Sequence, residues 1–230
     1  MSDINSGKGS WSARCSRGVV WNSRFLWIGT IATLIVCAVT LVAAEKEQDN
    51  WLPLFDGKTL DNWKITEFGG QGEVTVEDGK MIIESGSPMS GVTYKKDFPK
   101  QDFEIRLEAT RMEGTDFFCG LTFPVRDSHA SFIVGGWAGS VCGISSIDGQ
   151  DAANNDTTHV QAFKTNQWYK IRVRYTADVI RAWIDDELVV DKNIKDRRIS
   201  TRPEVDLSKP LGLSTYDTKA GIRNFQYRKL

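Results

Sequence analysis

Helical periodicity is what this sequence most conspicuously lacks. After Ala44 no stretch sustains apolar residues at the 3.6-residue period of an amphipathic helix, which argues against helical bundles and alternating strand–helix folds. Histidine is scarce, 2 in 230 residues, and neither sits in a His/Cys/carboxylate spacing that holds zinc. Basic residues form no block: 29 stand against 30 acidic ones, for a net charge of −1. Without a basic excess, nucleic acid is a poor match as a partner. Cysteine is sparse too, and Cys15 and Cys37, half of the 4, precede Glu45.

What is present first is a targeting pattern. Lys8, Arg14, Arg17 and Arg24 precede an uncharged run from Phe25 to Ala44 that ends Val42-Ala43-Ala44. A basic start, an apolar run and small residues before a cut match a secretory signal peptide; at about 20 residues the run also reaches across a bilayer as an anchor. Cys37 follows Leu34-Ile35-Val36, without the small residues a lipoprotein cysteine needs. Either reading exports the rest of the chain to the periplasm, the cell surface or the medium, and a membrane enters only through an uncleaved segment. The expected organisation is therefore 1–44 signal or anchor, 45–50 linker and 51–230 a single domain, large enough for a sizeable core. In that oxidising setting Cys119 and Cys142 either form a disulfide or stay buried thiols.

Alternation fills the domain. Phe103, Ile105, Leu107 and Ala109 share one face of a strand and charges the other; Ile171, Val173 and Tyr175 alternate with Lys170, Arg172 and Arg174. This period of two marks half-buried antiparallel strands. Further strands are expected near 73–76, 80–84, 91–95, 115–122, 131–137, 140–147, 179–184, 187–190, 211–216 and 221–227, with polar turns such as Glu77-Asp78-Gly79 and Asp185-Asp186 between them. Many short strands predict an all-β sandwich or jelly roll. Lys192 to Lys209 is the longest irregular segment, and such loops often form functional rims.

The run Ser131 to Asp148 is the most suggestive interior feature. Gly135, Gly136, Gly139 and Gly143 flank Trp137 and lead into Ser145, Ser146 and Asp148. Glycine in strands marks either a close-approaching ligand or a bulged hairpin, and an indole face is a platform for a sugar ring. Arg126 and His129 precede the run. A histidine with a carboxylate suits acid–base work near neutrality, so Asp148 and His129 are the catalytic candidates. Trp137, Arg126, Ser145 and Ser146 are the substrate-binding ones. An oxygen-rich calcium site at Asp148, Asp151 and Asn154 is a further, unspecific reading; no metal is assigned.

Three segments resemble the 3-keto-disaccharide hydrolase family, also described as 3-keto-glucoside lyases or 3-keto-2-hydroxyglucal hydratases. They are the aromatic clasp Trp51 to Trp63 around the Asp56-Gly57 turn, Gln167 to Arg174, and Gly221 to Leu230. The resemblance implies a concanavalin A-like jelly roll acting on a carbohydrate or 3-keto-glycoside ligand; the alternative is a non-catalytic carbohydrate-binding sandwich. Relatives carry Gly-Ile-aromatic-aromatic-Arg and Glu-x-Gln-x-x-Asp strands. Here Gly120 to Pro124 and Gly143 to Asp148 stand in those places, so the arginine, glutamate and glutamine positions hold Pro124, Gly143 and Ser145 and only Asp148 persists. Cofactor, linkage and oligomeric state are not specified by the sequence.

Overall fold

A computed structural model describes residues 50–230. The signal or anchor segment and the start of the linker lie outside the described residues. Fifteen strands follow one another: β1 Leu52–Pro53, β2 Trp63–Ile65, β3 Val74–Glu77, β4 Lys80–Ile83, β5 Met89–Tyr94, β6 Phe103–Gly114, β7 Cys119–Val125, β8 Ser128–Gly136, β9 Val141–Ser145, β10 His159–Val160, β11 Tyr169–Thr176, β12 Val179–Ile184, β13 Glu187–Asn193, β14 Gly212–Tyr216 and β15 Thr218–Lys229. One short 3-10 helix, Pro203–Ser208, interrupts the segment before β14. Among the described residues no helix is long and apolar enough to cross a membrane.

The strands form two antiparallel sheets. The first runs β13-β12-β11-β6-β15-β4-β3 with β1 on the flank of β15; the second runs β10-β9-β8-β7-β14-β5-β2. Alternation explains how they face each other. Phe103, Ile105, Leu107 and Ala109 of β6 and Ile171, Val173 and Tyr175 of β11 are all buried in the core. They meet Leu121 and Phe123 of β7, Phe132 and Val134 of β8 and Ile144 of β9 from the second sheet. This is the two-sheet sandwich that period-two patterning predicts.

The N-terminal clasp divides between core and surface. Trp63 is 3% exposed, stacks on Phe225 at 5.2 Å, and donates its Nε1–H to the Leu54 carbonyl at 2.9 Å. Asp56 Oδ1 accepts the Lys58 and Thr59 amides at 2.8 and 2.9 Å, closing the turn that Gly57 enters at φ 75°. Trp51, the first ring of the clasp, lies on the outer face of the first sheet. Arg106 and Arg228 cover its ring at 4.0 and 4.8 Å, because stacking satisfies an indole and a guanidinium together at a surface.

A departure from the sequence pattern lies beside it. Glu104 occupies an outward position of β6 yet is fully buried, bound by Arg172 at 2.7 Å, Arg174 at 3.1 Å and Arg228 at 2.5 Å. Cross-strand register causes this, since Glu104 pairs with Arg174 on one side and Arg228 on the other. Cys119 and Cys142 are both free and buried. They belong to β7 and β9, and β8 lies between; strands two places apart are about 10 Å from each other, beyond the usual Cα reach of a disulfide. Burial pushes the Cys142 thiol up to about 12.

Candidate functional site

A cleft of about 250 Å³ opens on the outer face of the second sheet. Its floor is Ser131 and Ile133 of β8 and Ser145 of β9, whose neighbours Phe132 and Ile144 point the other way into the core. Register explains why the floor is low. Thr93, Gly212, Thr122, Ser131 and Ser145 are successive partners across five strands, a row of small side chains. Gly120, in the next row, leaves room for an aromatic: a Cβ there would meet the Phe117 ring at 3.1 Å and Ser214 Oγ at 2.7 Å. Phe117 and Tyr216, whose rings lie 5.8 Å apart, form one wall with Met89.

Trp137 forms another wall from the tip of the β8–β9 hairpin. The tip is left-handed, with φ 75° at Gly135, 49° at Trp137, 64° at Ala138 and 99° at Gly139, and two charged groups hold it. Arg111 Nη2 donates to the Gly135 and Gly139 carbonyls at 3.3 and 2.9 Å, and Asp116 Oδ2 accepts the Ala138 amide at 3.2 Å. Arg111 is itself buried against the Phe118 ring, and burial lowers its pKa. Held in this way, Trp137 stays 37% exposed and lines the cleft. The glycine run is thus both a tight hairpin and the mount of an open indole.

The third side comes from the segment after β13. Arg202 and Glu204 line the cleft; Arg202 Nη2 binds Glu204 Oε1 at 2.7 Å and its Nη1 binds Asp151 Oδ2 at 2.8 Å. The Arg202 bond holds the Glu204 carboxyl below its usual range, and Glu204 raises Arg202 in return. A neighbouring polar cleft of about 430 Å³ shares these two side chains and continues along Ser146, Gly149 and Thr201. Asp148 fastens the base of the segment, accepting the Arg198 amide at 2.8 Å and Arg197 Nε at 2.5 Å. Paired backbone bonds between Ser146 and Ser200, at 2.6 and 3.1 Å, run alongside.

Of the residues singled out by sequence, the cleft brings together Trp137 and Ser145. Ser146 lines the neighbouring cleft. Asp148, expected to share the pocket with Trp137, lies outside its lining: β9 ends at Ser145, and Asp148 faces Arg197 and Arg198 of the segment after β13, a strap that runs from 194 to 209. His129 lies on the cleft face of β8, two residues from Ser131, but beyond the lining. Burial first, then Lys209 and Lys100, lower its pKa, so the imidazole is uncharged at neutral pH. Arg126 points elsewhere, to Asp178 at 2.5 Å and the Ile194 carbonyl at 2.8 Å. The oxygens considered for calcium are occupied by protein donors: Asp148 by Arg197 and Arg198, Asp151 by Arg202 and Asn154.

Sequence reasoning missed Asp116, Phe117, Tyr216, Arg202 and Glu204, which reach the cleft from loops and strand ends. A signal did exist for Arg111. Its position continues the series 103, 105, 107, 109 on the apolar face of β6, and a lone charge on an apolar face needs a buried partner. Chemically the site offers an indole face, two carboxylates, a guanidinium and one idle hydroxyl. Ser145 Oγ is buried and makes no hydrogen bond within the protein.

The sequence profile of the 3-keto-alpha-glucoside-1,2-lyase-like domain matches residues 50–228. No curated protein matches the sequence. Among solved structures, a "putative glycosyl hydrolase" from Parabacteroides distasonis superposes with a TM-score of 0.52 at 14% identity, over 78% of this chain and 94% of that one. The carbohydrate-binding module CBM66 from Bacillus subtilis gives 0.47 at 16% identity, over 73% of this chain and 96% of that one. At such identities the first likeness concerns the fold, and it agrees with the two-sheet sandwich.

Proposed function

The chain belongs to the 3-keto-alpha-glucoside-1,2-lyase-like domain family, and from that premise we propose that it is an exported enzyme that cleaves 3-keto-glycosides in the Trp137 cleft. The observation that carries this reading is the cleft itself, where an open indole, a buried unpartnered hydroxyl and a carboxylate–guanidinium pair face one ring-sized space. The volume falls just under the range of about 300–1,000 Å³ usual for small-molecule sites, room for a sugar ring rather than a long chain. Trp137 supports the ring and Ser145 binds a hydroxyl.

A ketone at C3 acidifies the hydrogen on C2. Glu204, kept ionised by Arg202, is the base that takes this proton. Arg202 stands beside it to stabilise the enolate oxygen. The electron pair then forms the C1–C2 double bond while the bond from C1 to the glycosidic oxygen breaks, and the aglycone leaves with a proton from solvent. Water adds back across the double bond. In this scheme Asp148 acts through the strap that carries Arg202, and the uncharged His129 is a reserve proton acceptor on the same face.

Incubation with 3-keto-glucosides should release aglycone, and Glu204→Gln should slow release by about a hundredfold or more, the usual share of a general base. Release unaffected by that substitution would remove Glu204 from the chemistry. Pro124 and Gly143, standing where relatives carry arginine and glutamate, favour a second reading as a carbohydrate-binding module; sugar binding without any aglycone release is its signature.

A further inference from the structure

The cleft is sided by aromatic rings and carries more negative than positive groups. Phe117, Trp137 and Tyr216 present rings, and Asp116 and Glu204 present carboxylates. Its one guanidinium, Arg202, is matched by Glu204 on one side and by Asp151 on the other. Asp116 interacts instead with the buried Arg111 behind the hairpin, which does not line the cleft. Asp116 is fixed in place, with Oδ1 accepting the Phe117 amide at 2.7 Å and Oδ2 the Ala138 amide. Each carboxylate oxygen keeps a further lone pair for a ligand.

Aromatic faces carry a negative quadrupole and attract cations, and ionised carboxylates do the same over a longer range. A neutral ring gains only stacking and hydrogen bonds from such walls, and an acidic sugar is repelled by them. Ser145 adds an independent demand for a polar ligand, since its buried hydroxyl faces the same space with no protein partner. We propose that the cleft selects a glycoside whose ring bears a protonated amine over its neutral and acidic counterparts, with the ammonium lodged between Asp116 and the Phe117, Trp137 and Tyr216 rings. This inference rests on the reading of the cleft as a sugar site.

Binding of the methyl glycosides of glucosamine, N-acetylglucosamine, glucose and glucuronic acid, followed by tryptophan fluorescence and calorimetry at pH 6, tests it. Methyl glucosaminide should bind about tenfold more tightly than methyl glucoside, the scale of a partly desolvated cation–aromatic contact, and glucuronide should bind most weakly. The preference should vanish at a pH that neutralises the amine, shrink in high salt, and fall in Asp116→Asn. Equal binding of the amino and neutral glycosides at pH 6, or a preference that survives at alkaline pH, overturns the amine selectivity while leaving the sugar site standing. Failure of every glycoside to bind overturns the sugar site itself. The pH series on the unmodified protein decides the matter even if Asp116→Asn, which also touches the Trp137 hairpin, fails to fold.

Discussion

Replacing Glu104 by Gln tests the reasoning where sequence pattern and structure diverge most. The side chain is fully buried on what alternation marks as the solvent face, and it accepts hydrogen bonds from Arg172 Nη1, Arg174 Nη2 and Arg228 Nε and Nη2. Glutamine keeps the shape, removes the charge and turns an amide NH₂ toward guanidinium donors. Breaking a buried ion pair by removing one partner costs about 3–5 kcal/mol, against about 0–1 kcal/mol for an exposed pair. For a domain of this size each kcal/mol moves the melting temperature by about 2–4 °C, so the expected drop is about 6–20 °C. Urea melts followed by tryptophan fluorescence also report on Trp51 and Trp183, which lie under arginines of the same cluster. The pH dependence gives a second handle. Burial alone would raise the Glu104 carboxyl, but the three arginine hydrogen bonds outweigh it and hold the group below its ordinary 4.5. A depressed carboxyl stabilises the fold fully above its unfolded pKa and loses that contribution as pH falls through the folded one. The gap between wild type and Glu104→Gln should therefore be full at pH 7 and close on acidification below about 4.5. A melting temperature within about 2 °C of wild type at pH 7 would refute the buried-pair argument, because an exposed pair would account for it.

Trp63→Ala removes a ring packed between Tyr94 at 5.0 Å and Phe225 at 5.2 Å; the expected loss is about 3–5 kcal/mol, read as a lower denaturation midpoint, and an unchanged midpoint would dismiss the clasp. If the 1–44 segment is a cleaved signal, mass spectrometry of the protein should find a mature N-terminus at Glu45, while a terminus at Met1 or Ser2 would rule cleavage out and favour the anchor.

The strands were largely legible because alternation is a local signal: the 103–109 and 171–175 series predict their buried faces residue by residue. β1, β2 and β10 escaped because two or three residues carry no period. The places of Trp51 and Glu104 were not legible for a common reason, that residue type does not say which neighbours the register supplies. A tryptophan between two arginines belongs at the surface, and a glutamate among three arginines is buried. The cleft was half legible. Trp137 and Ser145 stand in a glycine-marked run that singled itself out, whereas Glu204, Arg202 and Asp116 come from loops far away in sequence and meet only in three dimensions. Asp148 lies outside the cleft lining, its carboxylate held by Arg197 and Arg198, a placement that residue type alone does not reveal.

The position of β15 in the chain has a consequence for how the protein comes into being. Residues 218–229 form an interior strand of the first sheet, lying between β6 and β4 and carrying β1 on their flank. Pairing 103–114 with 218–229 closes a loop of more than a hundred residues, and such distant closures are slow. Until those residues have been synthesised, β6 lacks one neighbour, β4 has only β3 to lean on, and the N-terminal clasp has no Phe225 carbonyl to grip. The half made of β6, β11, β12 and β13 can pair as it is made, but β1, β3 and β4 join it only once β15 exists. The strand made last among those described is therefore the one that joins the two halves of the sheet, and the sandwich closes only when nearly all of the domain exists.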